Sequence, residues 1–143
     1  MADVHDRKTR SFNMSRILAA NTKPEIIVRK FLFSQGFRYK LHDKTLPGKP
    51  DIVLPKYRTA ILVHGCFWHG HEGCAYFVVP KTRTGWWLKK IHSNKERDAR
   101  QLQELSDRNM TVLTIFECQL RPKKRERTLS NLLLSLKNLL PNE

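Results

Sequence analysis

Acidic residues are scarce in this 143-residue chain: thirteen Asp and Glu stand against twenty-seven Lys and Arg, giving a formal charge of +14. Such a balance disfavours cationic partners and favours a polyanion, nucleic acid being the commonest. A nucleic-acid-coated structural protein is the bland form of that reading. Cysteine is also rare, and its count of three is odd. That argues against a secreted disulfide framework and for a reducing cytoplasm, bacterial by default. No apolar run resembles a signal peptide or reaches the length of a membrane span, so no membrane partner is expected. There are no internal repeats, and the length suits one domain.

Residues 1–20 are basic with little periodicity and read as an arm that orders on a polyanion. Residues 21–143 read as a single domain. Thr22, Pro24 and Glu25 form a capping-box start to a helix carrying Ile27, Phe31 and Leu32 and ending at Gly36. FRYKLH (37–42) alternates like a half-exposed strand. DIVL (51–54) and TAILV (59–63) read as a buried hairpin, and TVLTIF (111–116) as another buried strand. A helix is expected from Trp86 to about Ser106, with Leu88, Ile91, Leu102 and Leu105 on its apolar face. RPKKRER (121–127) reads as a charged connector before a last helix striped by Leu129, Leu132, Leu133, Leu136, Leu139 and Leu140. The pattern predicts an α/β domain, a small central mixed β-sheet flanked by helices.

The chemistry concentrates in HGCFWHGHEGC (64–74). Cys66 and Cys74, with His69 or His71, have the short spacings of a zinc knuckle, and Cys118 could supply a distant fourth ligand. Spacing does not choose between the two histidines, so one is left over beside the metal. Free, buried cysteines are the plain alternative. In the hairpin, Asp51 falls opposite Leu62 or Val63, beside His64, where carboxylate and carbonyl oxygens suit Mg²⁺. Asp51 could instead only stabilise a turn. Asp98 lies on the core-facing stripe of its helix and needs a partner there: His64 or a neighbouring histidine, or else Lys95 or Arg97 at the surface. Glu25 has its own account as the capping-box residue.

Six ordered blocks resemble the very short patch repair (Vsr) endonucleases: MADVHDRKTRSFNMSRI, PGKPDIV, HGCFWHGH followed by a cysteine, TRT-x-x-W at 82–87, KERD at 95–98 and FEC at 116–118. The resemblance covers roughly residues 1–121. It implies a restriction-endonuclease-like, PD-(D/E)xK fold with a zinc-binding insert. It also implies a Mg²⁺-dependent endodeoxyribonuclease that nicks 5′ to the thymine of a T:G mismatch, the product of 5-methylcytosine deamination, and so starts very short patch repair. Carried over residue by residue, the zinc ligands are Cys66, His71, Cys74 and Cys118. Asp51 binds magnesium with the Val63 backbone carbonyl beside it. His69 activates the attacking water, His64 and Asp98 form an assisting pair, and Glu25 holds metal-bound water. Phe67, Trp68 and Trp87, with Met14 of the arm, would meet the DNA beside the mismatch, as apolar wedges do when they unstack base steps. Core packing is the plain reading for Trp87.

The implied substrate is double-stranded DNA with a T:G mismatch, cut by a monomer; mismatch-repair proteins and a cytosine-5 DNA methyltransferase are candidate partners. Two departures stand out. Position 63 is Val where threonine is familiar in the family, and the His69–Cys74 stretch is one residue longer. Two other readings remain: a Vsr-like nuclease of different specificity in restriction or phage defence, and a non-catalytic zinc-stabilised DNA-binding module.

Overall fold

A computed structural model describes residues 21–139; the basic arm with Met14, and Leu140, lie outside the described residues. Helix α1 (Lys23–Ser34) starts as its sequence demands. Thr22 accepts from the Glu25 backbone N–H at 3.4 Å, and Pro24 sits in the first turn. The return half of the box is shifted by one, because the Glu25 carboxylate accepts from the Asn21 N–H at 3.3 Å.

After Gly36, whose φ of +87° closes the helix, the expected strand over 37–42 shrinks to β1 (Lys40–Leu41). The Phe37 N–H is spent on the Leu32 carbonyl, and its ring is buried in the core, so this stretch is committed to the helix end rather than to a ladder. Strands β2 (Ile52–Leu54) and β3 (Thr59–His64) form the expected antiparallel hairpin through a short 3₁₀ turn. Helix α2 (Thr84–Asp107) then leads to β4 (Thr111–Phe116), which pairs parallel to β3. The result is a mixed four-stranded sheet in the order β1-β2-β3-β4.

RPKKRER is not a connector. Pro122 opens helix α3 (Pro122–Lys137), and six of those seven residues are its first turns. Proline suits the first helical position, and Lys, Arg and Glu are good helix formers that need only solvent around them. The leucine stripe continues the same helix, with Leu129, Leu132 and Leu136 buried.

The pleat divides the sheet. Ile61, Val63 and Ile115 join Val28 and Leu32 of α1 and Leu132 and Leu136 of α3 in the main core. Leu62, His64, Thr114 and Phe116 turn the other way, toward Asp98 and Leu102 of α2. The expected apolar face of α2 is only half right: Ile91 and Leu105 are buried, but Leu88 and Leu102 are 51% and 46% exposed. The inner face of α2 is shared with Asn94 and Asp98, which serve the loop and site beside it rather than the core. Leu136, fully buried, should cost about 2–4 kcal/mol when cut to alanine, read as a lower denaturant midpoint at unchanged slope. A loss below 1 kcal/mol would show that the leucine stripe is not part of this core. Among the described residues no helix is long and apolar enough to cross a membrane.

Candidate functional site

The irregular stretch after β3 separates two neighbouring histidines. Gly70, at φ +59°, lies so close to α2 that an added Cβ would sit 2.7 Å from Ile91. Only glycine fits there without displacement. On either side of it the chain sends His69 and His71 to different places. The loop is tied down by Asn94, which donates to the Trp68 carbonyl at 2.9 Å, and by Glu117, which accepts from the Cys66 N–H at 3.1 Å.

His71 goes to the cysteines. One ligand atom each of Cys66, His71, Cys74 and Cys118 lie within 4.8 Å of one another. The 3.4 Å between Cys118 Sγ and His71 Nδ1 is close to the edge of about 3.5 Å that zinc bonds of tetrahedral length would give. The His71 ring stacks on Phe116 at 3.9 Å, which fixes its plane. Burial pushes the Cys66 thiol up to about 12 and raises Cys118, while backbone N–H groups lower Cys74. Three thiols and an imidazole converging at this distance form a donor set that fits Zn²⁺.

His69 goes to the other side. Its Nδ1 lies 2.6 Å from Asp98 Oδ2, and its ring stacks on His64 at 3.7 Å and 2° between planes. Asp98 is therefore paired with His69, whereas His64 joins the cluster by stacking. Neither Lys95 nor Arg97 is Asp98's partner; Lys95 binds Glu72 at 2.8 Å instead. Burial drives His64 down to about 4, with His69 adding to the effect.

That displacement has a stability consequence. The unfolded chain binds a proton at His64 below its ordinary 6.5, while the folded chain takes it only near 4. Between those values the unfolded state holds more protons, so stability falls as pH drops from 6.5 to 4, by about 1 kcal/mol per pH unit. In His64→Asn this slope should flatten in urea titrations at matched zinc content. Parallel slopes in the two proteins would show that His64 is not buried neutral.

Asp51 stands at the mouth of the hairpin. The register Ile52↔Ile61 places it across from Leu62, and its Oδ2 accepts from the Val63 N–H at 2.8 Å. Burial raises its pKa, the Val63 N–H opposes that, and the nearby Glu25 charge raises it further. Glu25, His42 and Asp51 bring ligand atoms within 4.8 Å of one another, and Glu25 is 1% exposed. Two carboxylates in a half-dry pocket are a donor set that fits a hard divalent cation. His42, 2.9 Å from Glu25, was missed by the sequence reading, as was Arg29, at 3.0 Å from the same carboxylate. The signal was available for His42: a β1–β2 pairing with Leu41 opposite Ile52 puts it opposite Asp51.

These groups share one surface. Asp51, Val63, His64, His69, Asp98 and His42 line a cleft of about 350 Å³. An adjoining groove of about 640 Å³ shares Val63, His64, His69 and Arg97 with it and runs on to Phe67 and Trp68. Phe67, Trp68 and Trp87 form one aromatic cluster, with centroids 5.1–6.0 Å apart, and Trp68 is 37% exposed. Trp86, also missed, extends it, 47% exposed beneath Arg83. A larger hollow of about 790 Å³ beside Cys74 and Tyr76 is lined by none of the acidic or histidine groups of the cleft.

Fold and site together define a class: an α/β domain whose cleft holds a carboxylate-supported histidine beside two carboxylates that could hold a cation, equipment suited to hydrolysis. The family model described as DNA mismatch endonuclease Vsr matches residues 2–75. The chain is 49% identical to the type II nicking enzyme V.NmeAIP of Neisseria meningitidis, over 86% of this chain and 87% of that protein. It is 46% identical to the DNA mismatch endonuclease Vsr of Escherichia coli, over 87% and 80%, and 42% identical to the type II nicking enzyme V.XorIIP of Xanthomonas oryzae, over 84% and 88%. The chain belongs to the DNA mismatch endonuclease Vsr family.

Proposed function

We propose that this protein is a DNA-nicking endonuclease that cuts one strand 5′ to the thymine of a T:G mismatch. The observation that carries the reading is the His69–Asp98 pair, 2.6 Å apart in a cleft that also holds Asp51 and runs on to Phe67 and Trp68. An ionised carboxylate only accepts hydrogen bonds, so the His69 proton sits on Nδ1, facing Asp98. That leaves Nε2 as the base that takes a proton from the attacking water. Asp98 holds the ring and stabilises the imidazolium that forms. His64, kept neutral by burial, stacks on that ring and fixes its plane without adding a competing charge.

Asp51 and Glu25, with the Val63 carbonyl, are the groups that would hold Mg²⁺, which when bound neutralises charge on the scissile phosphate and the leaving oxygen. Cys66, His71, Cys74 and Cys118 would hold a structural Zn²⁺. The carbonyl role makes Val63 an acceptable replacement for threonine. Phe67, Trp68 and Trp87 would enter beside the mismatch, where a wobble pair costs less to unstack. Met14 and the basic arm of 1–20 would approach the same DNA, and the cationic surface would make binding fall with salt. We place the domain in the restriction-endonuclease-like, PD-(D/E)xK class, acting as a monomer in the bacterial cytoplasm. Mismatch-repair proteins and a cytosine-5 methyltransferase are its proposed functional partners.

A second reading has support of its own. Two of the three relatives described above carry the name of type II nicking enzymes, which suits a nuclease serving a restriction system with its own sequence context. A strand-labelled cleavage assay with Mg²⁺ decides, using T:G duplexes and their T:A twins in several flanking contexts. One nick beside the thymine of T:G duplexes only is the expected result. Cutting of both would favour another specificity, and binding without cutting in every context would overturn the nuclease reading.

A further inference from the structure

His42 is a residue to which the reaction just described gives no task, yet it touches both acids of the cation pocket. Its backbone N–H donates to the Asp51 carbonyl at 3.0 Å. Its ring Nε2 lies 2.9 and 3.0 Å from the two oxygens of Glu25. A carboxylate without a proton is acceptor-only, so Nε2–H is the donor, shared between both oxygens. The backbone is bent to allow this. His42 sits at φ +49°, in the left-handed region that a non-glycine residue occupies at a cost and that concentrates at functional sites.

From these contacts we infer that His42 is a positioning residue: it locks the Glu25 carboxylate toward Asp51 and so sets the affinity of this pocket for a divalent cation. The inference rests on the proposed cation role of Asp51 and Glu25. Arg29 and the Asn21 N–H hold Glu25 Oε2 from the helix side, at 3.0 and 3.3 Å. His42 is the partner that ties Glu25 across to the sheet. Without it, Glu25 can follow Arg29 away from Asp51, and the two carboxylates no longer converge. A neutral amide at position 42 could still donate to Glu25; an apolar side chain could not.

The test uses the zinc-loaded full-length protein, with Mn²⁺ binding followed by the EPR signal of the free ion. Wild type is expected to bind, with Asp51→Ala as the non-binding control. His42→Leu should weaken Mn²⁺ binding at least tenfold and raise the Mg²⁺ concentration for half-maximal nicking by a similar factor, with a smaller change in kcat at saturating Mg²⁺. His42→Gln should stay within about threefold of wild type. In a Glu25→Gln background, His42→Leu should add little, because the ring acts through that carboxylate. This cycle is read from ratios, and thermal melts identify a variant whose loss is one of folding. Unchanged Mn²⁺ affinity in His42→Leu, or the same loss in His42→Gln and His42→Leu, would overturn the inference while leaving the cation pocket in place. If Leu destabilises the fold, the Gln variant and its Glu25→Gln double mutant decide alone: a large, additive loss overturns the inference. Absence of Mn²⁺ binding to wild type would overturn both the pocket and the role of His42.

Discussion

Asp51→Ala is expected to lower nicking by about a thousandfold, roughly 4 kcal/mol of transition-state stabilisation, while zinc content and duplex affinity stay near wild type. Without divalent cation its Tm should lie within a few degrees of wild type. The physical reason is the environment of the carboxylate. Burial and the neighbouring Glu25 charge raise its pKa, so folding disfavours its charged form. The Val63 N–H bond offsets only part of that penalty. A group held at such a cost contributes little to folding, so its loss should be felt in cation binding and turnover rather than in stability. The stabilisation that Mg²⁺ gives wild type should vanish in the variant, since linkage requires a ligand that binds only the folded state. Collapse of the fold or loss of zinc in Asp51→Ala would make Asp51 a structural residue and remove it from the cation pocket.

The hairpin that carries Asp51 was legible because β-branched and apolar runs flank a short turn, which left only Leu62 or Val63 to face Asp51; the register Ile52↔Ile61 selects Leu62. The same holds for the start of α1, where cap, proline and glutamate agree. Three features were not legible, each for a physical reason. The basic run 121–127 has no apolar period to betray a helix; its helicity comes from propensity and a proline start, while its apolar contacts come later, from Leu129 onward. The inner face of α2 mixes Ile91 and Leu105 with Asn94 and Asp98, so an apolar stripe was only a partial guide. His42 lies at the end of a two-residue strand, and only tertiary pairing brings it to Glu25.

The same limit governed the histidine ambiguity. Residues 69 and 71 are both within reach of the cysteines by chain length. What separates them is the left-handed Gly70 pressed against α2, together with two partners far away in sequence, Asp98 and Cys118. Spacing identifies a metal-ligating stretch; it does not say which ring turns which way.

Cys118→Ser is therefore expected to have the other large effect, and one of a different kind. Cys118 lies in the turn after β4, forty-seven residues from His71, so a zinc ion held by both would pin the loop to the sheet. Structural zinc contributes about 10–16 kcal/mol in small zinc-folded peptides, and removing one of four ligands forfeits part of that. The variant should lose most of its zinc, melt at least about 10 °C lower and lose protease protection first in residues 65–77. Nicking should fall with it, because His69 belongs to that same loop. Mn²⁺ binding at Asp51 and Glu25 should survive in the folded fraction, since neither residue lies on the loop. His69→Ala should do the reverse: zinc and melting temperature near wild type, with nicking down by about 10²- to 10⁴-fold, the range of a lost general base. Exchange of these two outcomes would put His69 among the zinc ligands and Cys118 outside them. A Cys118→Ser protein that kept its zinc, its melting temperature and its nicking would remove Cys118 from the ligand set, and wild type free of zinc would show that the three thiols and His71 converge without a metal between them.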